Sequence, residues 1–337
     1  MAVYPASTGL KNLPESGIRP FDVGRDLRPV AELIASAFAQ ELDQRGESAL
    51  REMRVMSHFS SVIKVLNRST GEFDDYFGGF VWLEEGKVVG NVTVQRAEQS
   101  GGRWQIANVA VAPAYRGRGI ARRLMQRALA HIDEEGGKYA VLQVYENNQV
   151  ALRLYKQLGF EEMGGTVDLR HEHLPKVAFA PAIPNFFSFS SNHWQPLYEL
   201  ANNQLGSQTQ WWRAIRRVDF QLTFEQQLGE WFAEKIGRQQ IYRRCIQTQQ
   251  RFDAALILTA KRWRGEHKLQ LWVRPEQYGK YEASMLHWVF ATLQDYPRWP
   301  LQLTLSKTHS AALTLAEEVG FTQQRALLTM RKEIVGN

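Results

Sequence analysis

The stretch APAYRGRGIARRLMQRAL, residues 112–129, holds two glycines between arginines at the point where a strand is predicted to become a helix. The apolar run WQIANVAVAP at 104–113 predicts the strand, and the apolar spacing from Ile120 onward predicts the helix. A helix start leaves backbone N–H groups unpaired, and glycines keep side chains away from them. The stretch therefore predicts an anion-binding loop at a helix N-terminus.

Two other phosphate-binding motifs fit RGRGIA, residues 116–121, less well. A P-loop would have Lys-Ser or Lys-Thr after its second glycine, and neither pair is present. The dinucleotide fingerprint needs a third glycine, where Arg122 stands, and an early βαβ position, whereas three antiparallel strands are predicted before this loop. The pattern that is left is Arg-x-x-Gly-x-Ala after a strand ending in Val-x-Pro.

The pattern around this loop occurs twice in the chain, which predicts a duplicated α/β unit with a mixed sheet. VAPAYRGRGIARRLMQRAL at 111–129 aligns with VRPEQYGKYEASMLHWVF at 273–290, and ALRLYKQLGF at 151–160 aligns with ALTLAEEVGF at 312–321. A stretch with three prolines separates the two patterned regions. The predicted division is therefore a first domain at 1–170, a linker at 171–185 and a second domain at 186–337.

Length and composition predict a globular protein of two domains, with no nucleic-acid or membrane partner. The net charge of +6 belongs to residues 171–337, but the arginines there are scattered and most tryptophans fall in helix or strand patterns. Core packing and a solvated basic surface explain both features better than nucleic-acid binding does. Cys245 is the single cysteine, and the start of the chain lacks the pattern of a signal peptide, so we expect a cytoplasmic location.

The loop resembles the pyrophosphate loop of the GCN5-related N-acetyltransferase (GNAT) superfamily, which reads Arg/Gln-x-x-Gly-x-Gly/Ala. A second family pattern, Asn-x-x-Ala-x-x-Leu-Tyr followed by Gly-Phe, stands at the family's distance from the loop. Its residues here are Asn148, Ala151, Leu154, Tyr155, Gly159 and Phe160. The resemblance covers about residues 17–170. It implies two tandem GNAT-like domains and a reaction in which acetyl-CoA is the co-substrate and a small molecule or peptide supplies the amine.

The resemblance also implies where coenzyme A would bind. Backbone amides of the loop would bind the pyrophosphate oxygens, and the strand segment Val109–Val111 would pair with the pantetheine arm. The nearby arginines either add positive charge at the phosphates or form a solvated helix surface. The candidate cofactor-binding residues are Val109, Val111, Arg116, Gly117, Arg118, Gly119, Ile120, Ala121, Arg122 and Asn148.

Tyr155 occupies the family's position for the general acid that protonates the leaving thiolate, although a core-facing helix tyrosine would give the same pattern. Asn148 is expected both to cap its helix and to touch the cofactor arm.

The general base is not predicted. Gln105 and Asn108 stand where many relatives carry a glutamate, while Glu146, Glu41 and Asp43 are more typical of surface carboxylates. A histidine pair at 171 and 173 has no visible third ligand, so no metal site is predicted.

The second half departs from the family pattern at each key position. Arg116, Gly119 and Ile120 align with Tyr278, Tyr281 and Glu282, while Asn148 and Tyr155 align with His309 and Ala316. We therefore expect a degenerate second domain and one active site per chain. The alternative is a non-catalytic acyl-CoA-binding or scaffold protein whose basic half contacts a partner. The sequence leaves the acceptor and the oligomeric state open.

Overall fold

The computed structural model describes residues 16–37, 78–96, 102–203, 235–249, 251–263 and 265–334. The predicted helix at 47–66 and two of the candidate carboxylates, Glu41 and Asp43, lie outside these residues. Contacts divide the chain into two compact units. The first comprises residues 1–142, 154–160 and 331–337, and the second comprises residues 143–153 and 161–330.

The described residues of the first unit include strands in the order β1-β2-β3-β4-β5, of which β1 to β4 are antiparallel and β4 and β5 are parallel. The chain leaves the first unit within β5 and re-enters it within α3. The elements are β1 Gly17–Pro20, α1 Val23–Ala37, β2 Gly79–Glu84, β3 Lys87–Arg96, β4 Arg103–Val111, α2 Ile120–Glu134, β5 Tyr139–Tyr145 and α3 Gln149–Gln157.

The helix after the glycine loop packs directly on this sheet. The buried face of α2 has a spacing of three to four residues, as its amphipathic sequence predicts. Gly90 on β3 allows the close approach, because a Cβ there would lie 3.0 Å from side-chain atoms of both Ile120 and Leu124. The start of α2 is thereby fixed against the sheet.

The second unit repeats the same order of strands and helices. An antiparallel run β7-β8-β9-β10 is followed by β11, which is parallel to β10, and β6 lies antiparallel to β11. The elements are β6 Glu161–His171, β7 Phe186–Ser188, α4 Trp194–Asn203, β8 Gln239–Thr248, β9 Arg251–Lys261, β10 His267–Val273, α5 Glu282–Leu293, β11 Leu301–Ser306, α6 Ser310–Glu318 and β12 Thr322–Glu333. The predicted α/β fold with two similar units is confirmed.

The compact units differ from the division predicted from sequence at the last strand of each half. β6 precedes the proline-rich stretch, yet it pairs with β11 from Thr166 to His171 and contributes Val167 and Leu169 to the second core. The end of the chain belongs to the first unit, where the N–H of Ile334 donates to the carbonyl of Lys138 at 2.8 Å. Local turn signals mark where a strand ends, but they carry no information about its partner.

None of the helices in the described part of the chain is long and apolar enough to cross a membrane.

Candidate active site

The glycine loop has the conformation that its sequence predicts. A short 3₁₀ turn, Pro113–Tyr115, follows β4, and Gly117 and Gly119 have φ angles of 78° and 76°. Gly119 is the N-cap of α2 in the left-handed conformation, and a Cβ on it would meet no atom within 4 Å. Glycine is therefore required there by the backbone, and the space above the first turn of α2 is open to a ligand.

The three arginines of the loop make bonds of modest strength and stay exposed. Arg116 donates from Nε to the carbonyl of Val111 at 3.2 Å, and Arg118 lies over the ring of Tyr115 at 5.0 Å. Arg122 donates to Gln157. These contacts hold the side chains close to the loop without burying their charge, which is the arrangement that binding an anion needs.

Beside the loop, the end of β4 has no partner strand on the β5 side among the described residues. β4 pairs with β5 only from Arg103 to Ile106, although β4 continues to Val111. On the opposite side the N–H of Ala112 donates to the carbonyl of Val89 on β3 at 2.8 Å. Because antiparallel residues alternate in direction, the main-chain groups of Val109 and Val111 face away from β3. That unpaired side of β4 can accept an extended ligand.

Tyr155 is a buried tyrosine whose hydroxyl has no bonding partner in the described part of the chain. Its side chain is 6% exposed, and its ring meets that of Phe160 edge to face at 6.0 Å. Burial raises the pKa of Tyr155 to about 12, because the phenolate would lose its hydration. The group is therefore protonated at neutral pH and can only donate a proton.

Asn148 caps the helix that carries Tyr155. Its Oδ1 accepts the N–H of Ala151 at 3.1 Å, and its main-chain carbonyl accepts the N–H of Leu152 at 3.0 Å. The predicted cap is thus observed, and it leaves the carboxamide Nδ2 as the group for the cofactor contact, which stays a prediction.

In the second unit, a buried carboxylate accepts hydrogen bonds from the amides of the corresponding loop. Glu282, at the start of α5, accepts the N–H groups of Gly279 at 2.9 Å and Tyr281 at 3.0 Å. Its Oε1 lies 2.8 Å from Nε2 of His309, and both side chains are almost fully buried. Tyr278 stacks on the imidazole at 3.9 Å. An internal carboxylate therefore satisfies the loop amides that would otherwise bind an external anion.

Burial and hydrogen bonding act in opposite directions on the pKa of Glu282. Burial alone would raise its pKa, but the hydrogen bonds from His309 and from the loop amides together hold the pKa of Glu282 below its ordinary value. The sequence alignment placed this carboxylate in the loop. It did not predict the bond to His309, whose only signal was that His309 aligns with Asn148.

Comparison with known proteins agrees with this geometry. Residues 43–160 match the model of the acetyltransferase (GNAT) family. A mycothiol acetyltransferase of Thermobispora bispora is 32% identical over 164 residues, which cover 47% of this chain and 50% of that protein. Residues 43–160 are therefore similar to a GNAT domain, and the two-unit fold resembles that of tandem GNAT proteins. The chain spans about half the length of the curated relatives it matches.

Solved structures with a similar fold cover both units. A GCN5-related N-acetyltransferase from Sphaerobacter thermophilus superposes over 96% of this chain and 97% of its own, with a TM-score of 0.57 and 16% identity. A tandem GNAT protein from the clavulanic acid biosynthesis pathway superposes over 96% and 100%, with a TM-score of 0.57 and 13% identity. At these identities the likeness is one of fold.

The GNAT site of this chain has no assigned general base. Glu146 forms an ion pair with Lys307 at 2.5 Å, and the same ammonium lies 3.6 Å from Glu162. The hydrogen bond to Glu146 is the main cause that raises the pKa of Lys307. Gln105 and Asn108, at the family's position, do not titrate.

The first histidine of the pair at 171 and 173 is the last residue of β6 and packs in the core. His171 is buried between Phe290 and Phe321, and its Nε2 lies 2.8 Å from the carbonyl of Val319. The described residues contain no group of three side chains that could hold a metal ion.

Proposed function

We propose that the first unit catalyses transfer of an acetyl group from acetyl-CoA to a primary amine of a small-molecule or peptide acceptor. The observation that carries this proposal is the combination, within one unit, of an open glycine loop at the start of α2 and the unpaired side of β4. A phosphate group and an extended arm joined in one molecule would fit these two features together.

The loop side of the site would hold the pyrophosphate. The amides from Gly117 to Ala121 point out of the start of α2, where the helix dipole also favours negative charge. Gly119 leaves room for the oxygens, and Arg116, Arg118 and Arg122 surround them with exposed positive charge. A side chain larger than glycine at 119 would occupy the same space.

The strand side of the site would hold the pantetheine arm. The N–H groups of Val109 and Val111 and the carbonyl of Val109 would pair with its amides, as an added strand pairs with a sheet edge. Nδ2 of Asn148, which the helix cap leaves over, would be an additional donor. Acetyl-CoA, once bound, supplies the activated acyl group as a thioester.

Tyr155 would act as the general acid. Burial raises its pKa to about 12, so the hydroxyl stays protonated at neutral pH and its proton is available to the sulfur as the C–S bond breaks. Glu146 is paired with Lys307, so the amine would reach the site already neutral or would lose its proton to water. The second unit would contribute no site of this kind, because Glu282 fills its loop.

Two measurements test this function. Calorimetric titration with coenzyme A should give one site per chain. A panel of polyamines, amino acids, peptide N-termini and lysine-containing peptides, incubated with acetyl-CoA, should release free thiol with at least one acceptor. No binding of coenzyme A would refute the proposal. Tight binding of coenzyme A with no turnover on any amine would favour a non-catalytic acyl-CoA-binding protein.

A further inference from the structure

An irregularity in β4 decides which of its main-chain groups point away from β3. Asn91 of β3 pairs with Ala110 and Thr93 pairs with Ala107, so two residues of β4, Asn108 and Val109, lie opposite the single residue between them on β3. Asn108 has a φ of 50°, a left-handed conformation that is rare outside glycine but tolerated by asparagine. The strand therefore contains a β-bulge.

The bulge decides which main-chain groups reach the open side. Beyond it, Ala112 bonds to Val89 of β3, so Val109 and Val111 point the other way. If the inserted residue were absent, β3 and β4 would keep the register that pairs Thr93 with Ala107. The amides of Val109 and Val111 would then bond to β3 instead. The main-chain groups of Val109 and Val111 face the proposed binding side because the bulge shifts the alternation by one residue.

Asn91 holds the bulge through a buried hydrogen bond. Its side chain is 1% exposed, and its Nδ2 donates to the carbonyl of Asn108 at 3.0 Å. Nδ2 also lies 3.4 Å from Oγ1 of Thr93, which accepts Nδ2 of Asn108 at 3.2 Å. A buried amide inside a strand that is otherwise apolar here loses hydration, and it recovers that loss only through these bonds.

The bond from Asn91 also orients the next amide. The peptide between Asn108 and Val109 is planar and trans, so its carbonyl and its N–H point in opposite directions. Because Asn91 holds the carbonyl, the N–H of Val109 is directed away from Asn91. We infer that Asn91 is a positioning residue, which fixes the β4 bulge so that Val109 and Val111 present their main-chain groups to the arm of the co-substrate. This inference rests on the proposed function.

The test separates the arm of coenzyme A from its phosphates. Asn91→Leu keeps the size of the side chain and removes the donor. Calorimetry compares coenzyme A with adenosine 3′-phosphate 5′-diphosphate, which has the phosphates but lacks the pantetheine arm. Asn91→Leu should weaken coenzyme A binding about tenfold, the equivalent of about one net hydrogen bond. Its affinity for the nucleotide should stay within about twofold of the wild-type value, because the loop at the start of α2 is unchanged.

A second pair of variants covers the case in which Asn91→Leu does not fold. Asn108 is exposed, so its replacement leaves no cavity. Valine is strained at a φ of 50° and glycine is not. Asn108→Val should therefore lose coenzyme A affinity selectively, and Asn108→Gly should bind coenzyme A more tightly than Asn108→Val. Thr93→Val, which keeps the bond from Asn91 to Asn108, is the control for loss of a nearby hydroxyl.

Each outcome of these measurements supports or overturns the positioning role of Asn91. Equal loss of affinity for both ligands in Asn91→Leu, or no loss for either, would overturn the positioning role. So would equal coenzyme A affinity of Asn108→Val and Asn108→Gly. Failure of the wild-type chain to bind coenzyme A would refute the proposed function, and this inference would fall with it.

Discussion

Replacing Glu282 by alanine tests whether the second unit is stabilised by its own internal anion. The carboxylate is 1% exposed and accepts bonds from the amides of Gly279 and Tyr281 and from the side chain of His309. Alanine would remove both acceptor oxygens, and with them all three hydrogen bonds, while Tyr278 stays stacked on the imidazole. The fully buried His309 would then be left without its acceptor.

The size of the effect follows from these contacts. A buried donor left without a partner costs about 1–3 kcal/mol, and breaking a buried charged pair costs about 3–5 kcal/mol. These two estimates describe overlapping losses, so we expect the free energy of unfolding to fall by about 3–5 kcal/mol in Glu282→Ala. Glu282→Gln keeps one acceptor oxygen and the shape of the side chain, and it should cost about 1–3 kcal/mol.

The pH dependence has a definite sign. The folded-state pKa of Glu282 lies below its ordinary value of 4.5, so folding favours the carboxylate. Its contribution to stability is complete above pH 4.5 and is lost as the pH falls through the folded-state pKa. The stability difference between wild type and Glu282→Gln should therefore be largest near neutral pH and should shrink on acidification below 4.5.

Urea unfolding, followed by tryptophan fluorescence, measures these differences. Glu276→Ala is the matched control, because Glu276 is an exposed carboxylate in the 3₁₀ turn of the same loop. Its unfolding should change by less than about 0.5 kcal/mol. If Glu282→Ala unfolds within about 1 kcal/mol of wild type, the carboxylate is not the partner on which this loop depends, and the reasoning is refuted.

Three further changes bear on the first unit and on the division of the chain. Gly119→Tyr should abolish coenzyme A binding measured by calorimetry, since its ring would fill the space above α2, and retained binding would remove the loop from the site. Tyr155→Phe should keep coenzyme A affinity and lower turnover by about 10²–10⁴, whereas unchanged turnover would mean that another group protonates the thiolate. With the pKa of Tyr155 at about 12, the wild-type rate should show no decline from its ionisation below about pH 11. A chain that ends at residue 173 should be poorly soluble or inactive, because β6 would lack its partner β11, and a soluble active fragment would contradict this.

Local features were predicted well because they depend on neighbouring residues. The glycine loop between strand and helix, the start of α2 at Ile120 and the cap by Asn148 all follow from short-range constraints on the backbone. The repeat was equally visible, since the same order of elements requires similar hydrophobic patterns in both halves. The region that matches the GNAT family model contains both of these short sequence motifs.

Features that join distant parts of the chain were not predicted. The bond from Asn91 to Asn108 depends on strand register and on one inserted residue, neither of which changes the hydrophobic alternation of β3. The pairing of β6 with β11 joins residues more than a hundred positions apart. The ion pair of Glu146 with Lys307 likewise removes a candidate base through a residue from the other half of the sequence.

The two loops differ in how they satisfy the same backbone requirement. Every helix start has amides without an internal partner, and a buried one must find an acceptor in the protein. At the start of α2 the residues from Arg116 to Gly119 are exposed, so water or a phosphate group can accept from their amides. At the start of α5 the residue after the loop is itself the acceptor, and its carboxylate is closed off from solvent beside a fully buried histidine. The second unit thus supplies from its own chain the acceptor that the first unit leaves to water or to a ligand.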